Sequence, residues 1–185
     1  MSISSINMEA IVSNAYYCKK NYSYEQYINQ TVEFLYQGFY NFDMFGDKVL
    51  NKYKNVSSYP AFTIVHNYIT LFIYDDGNLY RNEYDAYCKF CEKCGHKFFS
   101  VNELLEHRKK LNASDVRGLT SFLILLRDCV SSSYFQNFIY GMVMLSLLDT
   151  GELQESAYCG LQYVLKQGFD NAPPYYELMS KVYKW

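Results

Sequence analysis

Residues 66–95 read HNYITLFIYDDGNLYRNEYDAYCKFCEKCG. The first nine are apolar or aromatic around most of a helical circumference. The spacing predicts a central helix over about 60–74, with Pro60 in its first turn. Asp75-Asp76-Gly77-Asn78 is a turn signal, because glycine reaches backbone angles that other residues avoid. From Tyr80 onward, Tyr84, Tyr87, Cys88, Cys91 and Cys94 recur at intervals of three and four, the stripe of an amphipathic helix. Gly95 can close that helix in the left-handed conformation. The stretch is therefore a helical hairpin.

The same plan returns at residues 137–168, NFIYGMVMLSLLDTGELQESAYCGLQYVLKQG. At an offset of 74, Asp75 matches Asp149, Gly77 matches Gly151, Leu79 matches Leu153 and Tyr84 matches Tyr158. Each unit is an apolar helix, a D-x-G-x-L turn and a second helix ending near glycine. In each turn the leucine is expected to fold back into the core.

The rest of the chain extends the helical pattern. Ser23-Tyr24-Glu25-Gln26 and Ser100-Val101-Asn102-Glu103 have capping-box spacing. The first opens a run expected to end at Gly38, followed by a separate run over 41–54 that Gly46 weakens. The break at 55–60 separates these runs from the helix at 60–74. The second box opens a helix to about 111, with Leu104 and Leu105 facing inward. Further stripes cover 115–130, 134–148, 154–167 and a short run after Pro174. No pair of strands is evident. The fold class is all-α, a bundle of about seven to nine helices containing two pseudo-repeated hairpins. Residues 1–55 read as an N-terminal helical extension and 56–185 as the main helical domain, the two packing as one unit.

Composition narrows the function. Half of the 185 residues are hydrophobic, 19% are charged and the net charge is −2. A core is affordable, and the basic excess of a nucleic-acid binder is missing. No stretch is long and apolar enough for membrane insertion, and the start of the sequence lacks the pattern of a signal peptide. A reducing, cytoplasmic setting is expected, so the six cysteines read as thiols or ligands rather than disulfides. The 21 tyrosines and 13 phenylalanines suit a padded core and also a surface for protein partners.

An apolar helix, a D-G-x-L turn and a glutamate six residues after the glycine, repeated later in the chain, resemble the TerB family of tellurite-resistance proteins. The related domain of membrane-attached J-domain co-chaperones is similar. The resemblance covers roughly residues 60–170. It implies an all-helical fold with two similar halves, a role in stress response or defence, and an acidic cluster for a divalent metal. Asp76, Gly77 and Glu83 fit the pattern, with Asp75 beside them. In the second half Thr150 and Ala157 stand where the aspartate and glutamate belong. The alternative reading of Asp75, Asp76 and Glu83 is that they cap a helix and favour its positive end. An EF-hand alignment would put Phe72 and Tyr74 in ligand places, which excludes it.

Residues 88–107, CKFCEKCGHKFFSVNELLEH, mimic a two-Cys, two-His finger. After His107 come Arg108, Lys109 and Lys110, so the fourth ligand is missing. Zinc or another divalent metal on Cys91, Cys94 and His107 or His96 is one remaining reading. A cluster that recruits Cys129 or Cys159 is another. The favoured reading is structural: cysteines as small hydrophobes at the end of a helix, a loop, and the start of the next helix. His66, in mid-helix, reads as a satisfied core residue.

No phosphate loop, nucleophile elbow or H-E-x-x-H is present. The expected function is non-enzymatic binding of a protein partner, with a homodimer as one such arrangement, and without a cofactor. A small metal-binding domain is the alternative, and a regulator from a mobile element a weaker one.

Overall fold

The computed structural model describes residues 6–52, 61–74, 76–112, 132–168 and 172–185. Among these residues there are eight helices and no strand. They are α1 (Met8–Asn21), α2 (Tyr24–Lys52), α3 (Ala61–Ile73), α4 (Arg81–Lys93), α5 (Val101–Lys110), α6 (Ser132–Ser146), α7 (Glu155–Gly168) and α8 (Tyr175–Lys181). The all-α expectation holds. The expected break at 55–60, the helix expected over 115–130, Asp75 and Cys129 lie outside the described residues.

The helix ends follow the local chemistry. Asn7 accepts the amide hydrogen of Ala10 at the start of α1. At α2, the Ser23 amide donates to Gln26 Oε1 and the Gln26 amide donates to Ser23 Oγ. At α5, Ser100 and Glu103 exchange the same pair of bonds. Both expected capping boxes are therefore formed. Gly95, at φ +74°, closes α4. The His96 amide reaches the Cys91 carbonyl and the Gly95 amide the Glu92 carbonyl, the paired bonds of a Schellman closure.

Two expectations are corrected. The chain does not stop at Gly38, because α2 runs unbroken from Tyr24 to Lys52. Gly38 is instead a contact point, where a Cβ would lie 2.6 Å from Phe138 Cβ on α6. Three residues further along α6, Gly141 returns the contact: a Cβ there would lie 2.8 Å from the Leu35 amide nitrogen and side chain. Leu35 meets Gly141 and Gly38 meets Phe138, so α2 and α6 run antiparallel. Each helix removes a side chain where the other inserts one. Phe34 stacks on Tyr140 with ring centroids 5.1 Å apart, and Gln37 Oε1 accepts from Asn137 Nδ2 at 2.7 Å. The Tyr27 hydroxyl donates to the Met144 carbonyl at 2.6 Å. The second correction concerns α5. Leu104 is fully buried, but Leu105 is 38% exposed, since adjacent helical residues point about 100° apart.

The repeat extends beyond the hairpins. Helix α3 is followed by α4 and α5 as α6 is followed by α7 and α8, and the offset of 74 holds across all three. Gly77 and Gly151 have φ +85° and +77°. Asp76 Oδ1 accepts the Asn78 amide, and the equivalent Thr150 Oγ1 accepts the Glu152 amide. The Tyr80 hydroxyl reaches back to Asp76, as the Gln154 amide reaches back to Thr150. The Tyr84 hydroxyl donates to the Phe99 carbonyl, and that of Tyr158 to the Pro173 carbonyl, again 74 residues on. Leu104 and Leu178 are the buried residues of α5 and α8. Of the two turn leucines, Leu153 is fully buried and Leu79 half-buried.

Packing at the α2–α6 crossing predicts opposite effects for two glycine substitutions. Gly141→Ala drives a methyl group into the Leu35 backbone and is expected to cost about 2 kcal/mol. Gly160→Ala, on α7 with open space around it, is expected to gain roughly 0.5–1 kcal/mol. Urea unfolding followed by circular dichroism reads both. Equal effects of the two substitutions would contradict the close contact.

Candidate functional site

All three histidines of the chain gather where α3, α4 and the α4–α5 connection meet. The His66 and His107 ring centroids are 5.2 Å apart, and both rings contact Phe99 edge-on. His96 stacks on Phe62 at 3.7 Å, and Phe62 lies 5.5 Å from His66. The His66 ring is buried on α3, with Nε2 2.8 Å from the Tyr87 hydroxyl. Tyr87 Oη also accepts the Phe99 amide hydrogen at 3.0 Å. One phenol thus ties α4 both to α3 and to the connection. Burial pushes the His66 imidazole down to about 4, and the neighbouring His107 and His96 add to the effect. His66 is the satisfied core residue that its mid-helix position suggested.

The proposed cysteine ligands occupy different environments. Cys91 is fully buried on α4, and burial pushes its thiol up to about 12. Its repeat equivalent is Leu165, also buried, which identifies the position as an apolar core site. Cys94 is the half-buried C-cap of α4. His107 Nε2 lies 2.6 Å from Asn67 Oδ1 on α3. Among the described residues, no three of His, Cys, Asp or Glu are grouped to hold a metal ion.

The carboxylates of the acidic turn accept local hydrogen bonds. Asp76 accepts from the Asn78 amide and the Tyr80 hydroxyl. Glu83, only 4% exposed, accepts the Tyr80 amide hydrogen at 3.1 Å and so caps α4. Asp75, the third carboxylate of the sequence reading, lies outside the described residues. Thr150 performs the turn bond of Asp76 without a charge, so this geometry needs an oxygen acceptor rather than a carboxylate.

A second feature has no local signature in the sequence. Residues 182–185 run back along α1, held by the Tyr183 amide on Ser13 Oγ at 3.1 Å and by the buried Val182. This brings Trp185 edge-on to Tyr17 at 5.7 Å and beside Tyr183 at 5.8 Å. The three rings are 54%, 46% and 67% exposed, in the order Trp185, Tyr17, Tyr183. More than 160 residues separate Tyr17 from its neighbours, so only the fold assembles the surface. High aromatic content was the one hint of it.

No protein-family model, curated protein or solved structure matches the chain.

Two measurements follow from the histidine–cysteine cluster. An unfolded histidine takes up its proton near pH 6.5, whereas folded His66 does so only near 4. Stability is therefore full above pH 6.5, declines as the pH falls, and has lost about 3 kcal/mol from this group below pH 4. His66→Gln is expected to flatten that decline in denaturant titrations at pH 7 and pH 4, and an unchanged slope would refute the assignment. In native protein, exposed Cys159 is expected to react rapidly with a disulfide reagent, while Cys91 stays protected until denaturant is added. Mass spectrometry of the labelled peptides separates the two.

Proposed function

We propose that this chain is a TerB-like helical protein that works without catalysis, in the cytoplasm, by binding a protein partner in stress response or defence. The carrying observation is the exposed surface of Tyr17, Tyr183 and Trp185. Tryptophan and tyrosine supply large contact area for little loss of side-chain freedom, and they are enriched among residues that dominate binding energy. Here the rings already touch one another, and the main-chain bond to Ser13 fixes the segment that carries two of them. Less ordering remains to be done on binding.

The TerB-like assignment draws on the two D-x-G-x-L turns. Both use glycine at positive φ, and in each a side-chain oxygen accepts the amide two residues on. The departures at Thr150 and Ala157 favour a role for this chain that does not use the acidic cluster of that family.

Affinity capture with tagged full-length chain from its native lysate, compared with a Tyr183→Ala, Trp185→Ala double variant, tests the reading. The wild-type chain is expected to recover a specific protein that the variant loses at least tenfold, with the two chains equally stable in urea. A specific protein recovered equally by both would place the interaction elsewhere. Failure of the wild-type chain to recover any would remove the proposal.

A further inference from the structure

A cavity of about 230 Å³ opens between α1, α2 and α6, on a different set of residues from the histidine cluster. None of the residues lining it is charged at neutral pH. Buried Ala15 and Met144 form apolar lining, and Phe34 and Tyr140, stacked on each other with a tilt of only 16°, add an aromatic wall. Asn14 donates its side-chain amide to Tyr140 Oη at 2.8 Å, which fixes that wall in place. Because Tyr140 accepts this bond, its own hydroxyl hydrogen remains available. The Gln30 carboxamide also lines the cavity and makes no hydrogen bond among the described residues. Flat aromatic surface with a few convergent polar groups is the general composition of small-molecule sites, and the volume is just below the usual range of about 300–1,000 Å³.

We propose that this cavity binds a small, uncharged, planar aromatic ligand carrying an amide-like edge. Planarity follows from the Phe34–Tyr140 wall, against which a ring can stack. Neutrality follows from the lining, since a charged ligand would lose hydration without gaining a counter-charge. The amide-like edge follows from Gln30, whose carboxamide offers a donor and an acceptor side by side, with the Tyr140 hydroxyl as a further donor. The size admits one ring with its substituent, or a compact two-ring system. In the first repeat unit the position of Tyr140 is taken by His66, whose ring is enclosed by α4 and the α4–α5 connection. The cavity therefore belongs to the second unit alone. It is independent of the aromatic surface at Trp185.

The test uses the full ¹⁵N-labelled chain and benzamide as the probe, with benzoate and cyclohexanecarboxamide as matched controls. Benzamide is expected to give saturable shifts centred on the side-chain amides of Asn14 and Gln30. Benzoate, of the same shape but charged, and cyclohexanecarboxamide, with the same edge but no flat ring, are expected to bind at least tenfold more weakly. Gln30→Leu keeps the volume and the helix and is expected to weaken benzamide roughly tenfold. Phe34→Leu is expected to erase the preference for benzamide over its saturated analogue. Circular dichroism establishes that each variant is folded. No saturable shift up to the solubility limit of benzamide would overturn the proposal. Equal binding of either control to the wild-type chain, or undiminished binding to folded Gln30→Leu, would overturn it as well.

Discussion

The reciprocal contact between α2 and α6 is the constraint on which the rest of the fold hangs. Two helices approach this closely only where one of them lacks a side chain, and here each helix does so once. Gly38 admits Phe138, and Gly141 admits Leu35. The exchange sets the antiparallel register, which carries Tyr27 to the Met144 carbonyl and Phe34 onto Tyr140. Both repeat units then touch α2: α3 and α4 from the first, α6 from the second. At 1.5 Å per residue, a helix of 29 residues is about 44 Å long, enough to brace both units along one strut.

The repeat was legible in sequence at the hairpins, whereas the third helices, expected as helices, were not legible as members of it. A D-x-G-x-L turn needs glycine at positive φ and a leucine that folds back, and both requirements leave fixed letters at fixed spacing. The docking of α5 and α8 leaves one buried leucine each, Leu104 and Leu178, together with a tyrosine hydroxyl on a carbonyl. A carbonyl has no letter of its own, so that bond is invisible in sequence. The same limit explains Gly38. Within a single helix pattern, a glycine that ends a helix and a glycine that receives a partner's side chain look alike. Only α6, a hundred residues away, distinguishes them. The capping boxes were legible because every participating group is local.

The cysteine segment follows the inward stripe of α4. The CxxC spacing arises because successive inward positions of α4 are three residues apart and two are filled by a small, polarizable side chain. Leu165, at the repeat equivalent of Cys91, fills its place with the same result. Asp76 and Glu83 satisfy amides that would otherwise lack partners, and Thr150 does the work of Asp76 with a hydroxyl. The histidine cluster was the less legible part. Each histidine had an ordinary local reading, and their convergence depends on how α3, α4 and α5 pack. The two units have thus kept their turn geometry while their interiors diverged, His66 in one against Tyr140 in the other.

Trp185 is the only tryptophan of the chain, and it lies on the surface against Tyr17 and Tyr183 rather than in the core. Its indole emission is therefore decoupled from the interior. Unfolding would add water to an indole that is already 54% exposed, so its emission shift understates unfolding of this protein. A molecule that covers α1 and the segment after α8 would dry the indole and shift its emission to shorter wavelength. The chain thus carries an optical reporter of contact on one face, separate from the far-ultraviolet signal of its helices.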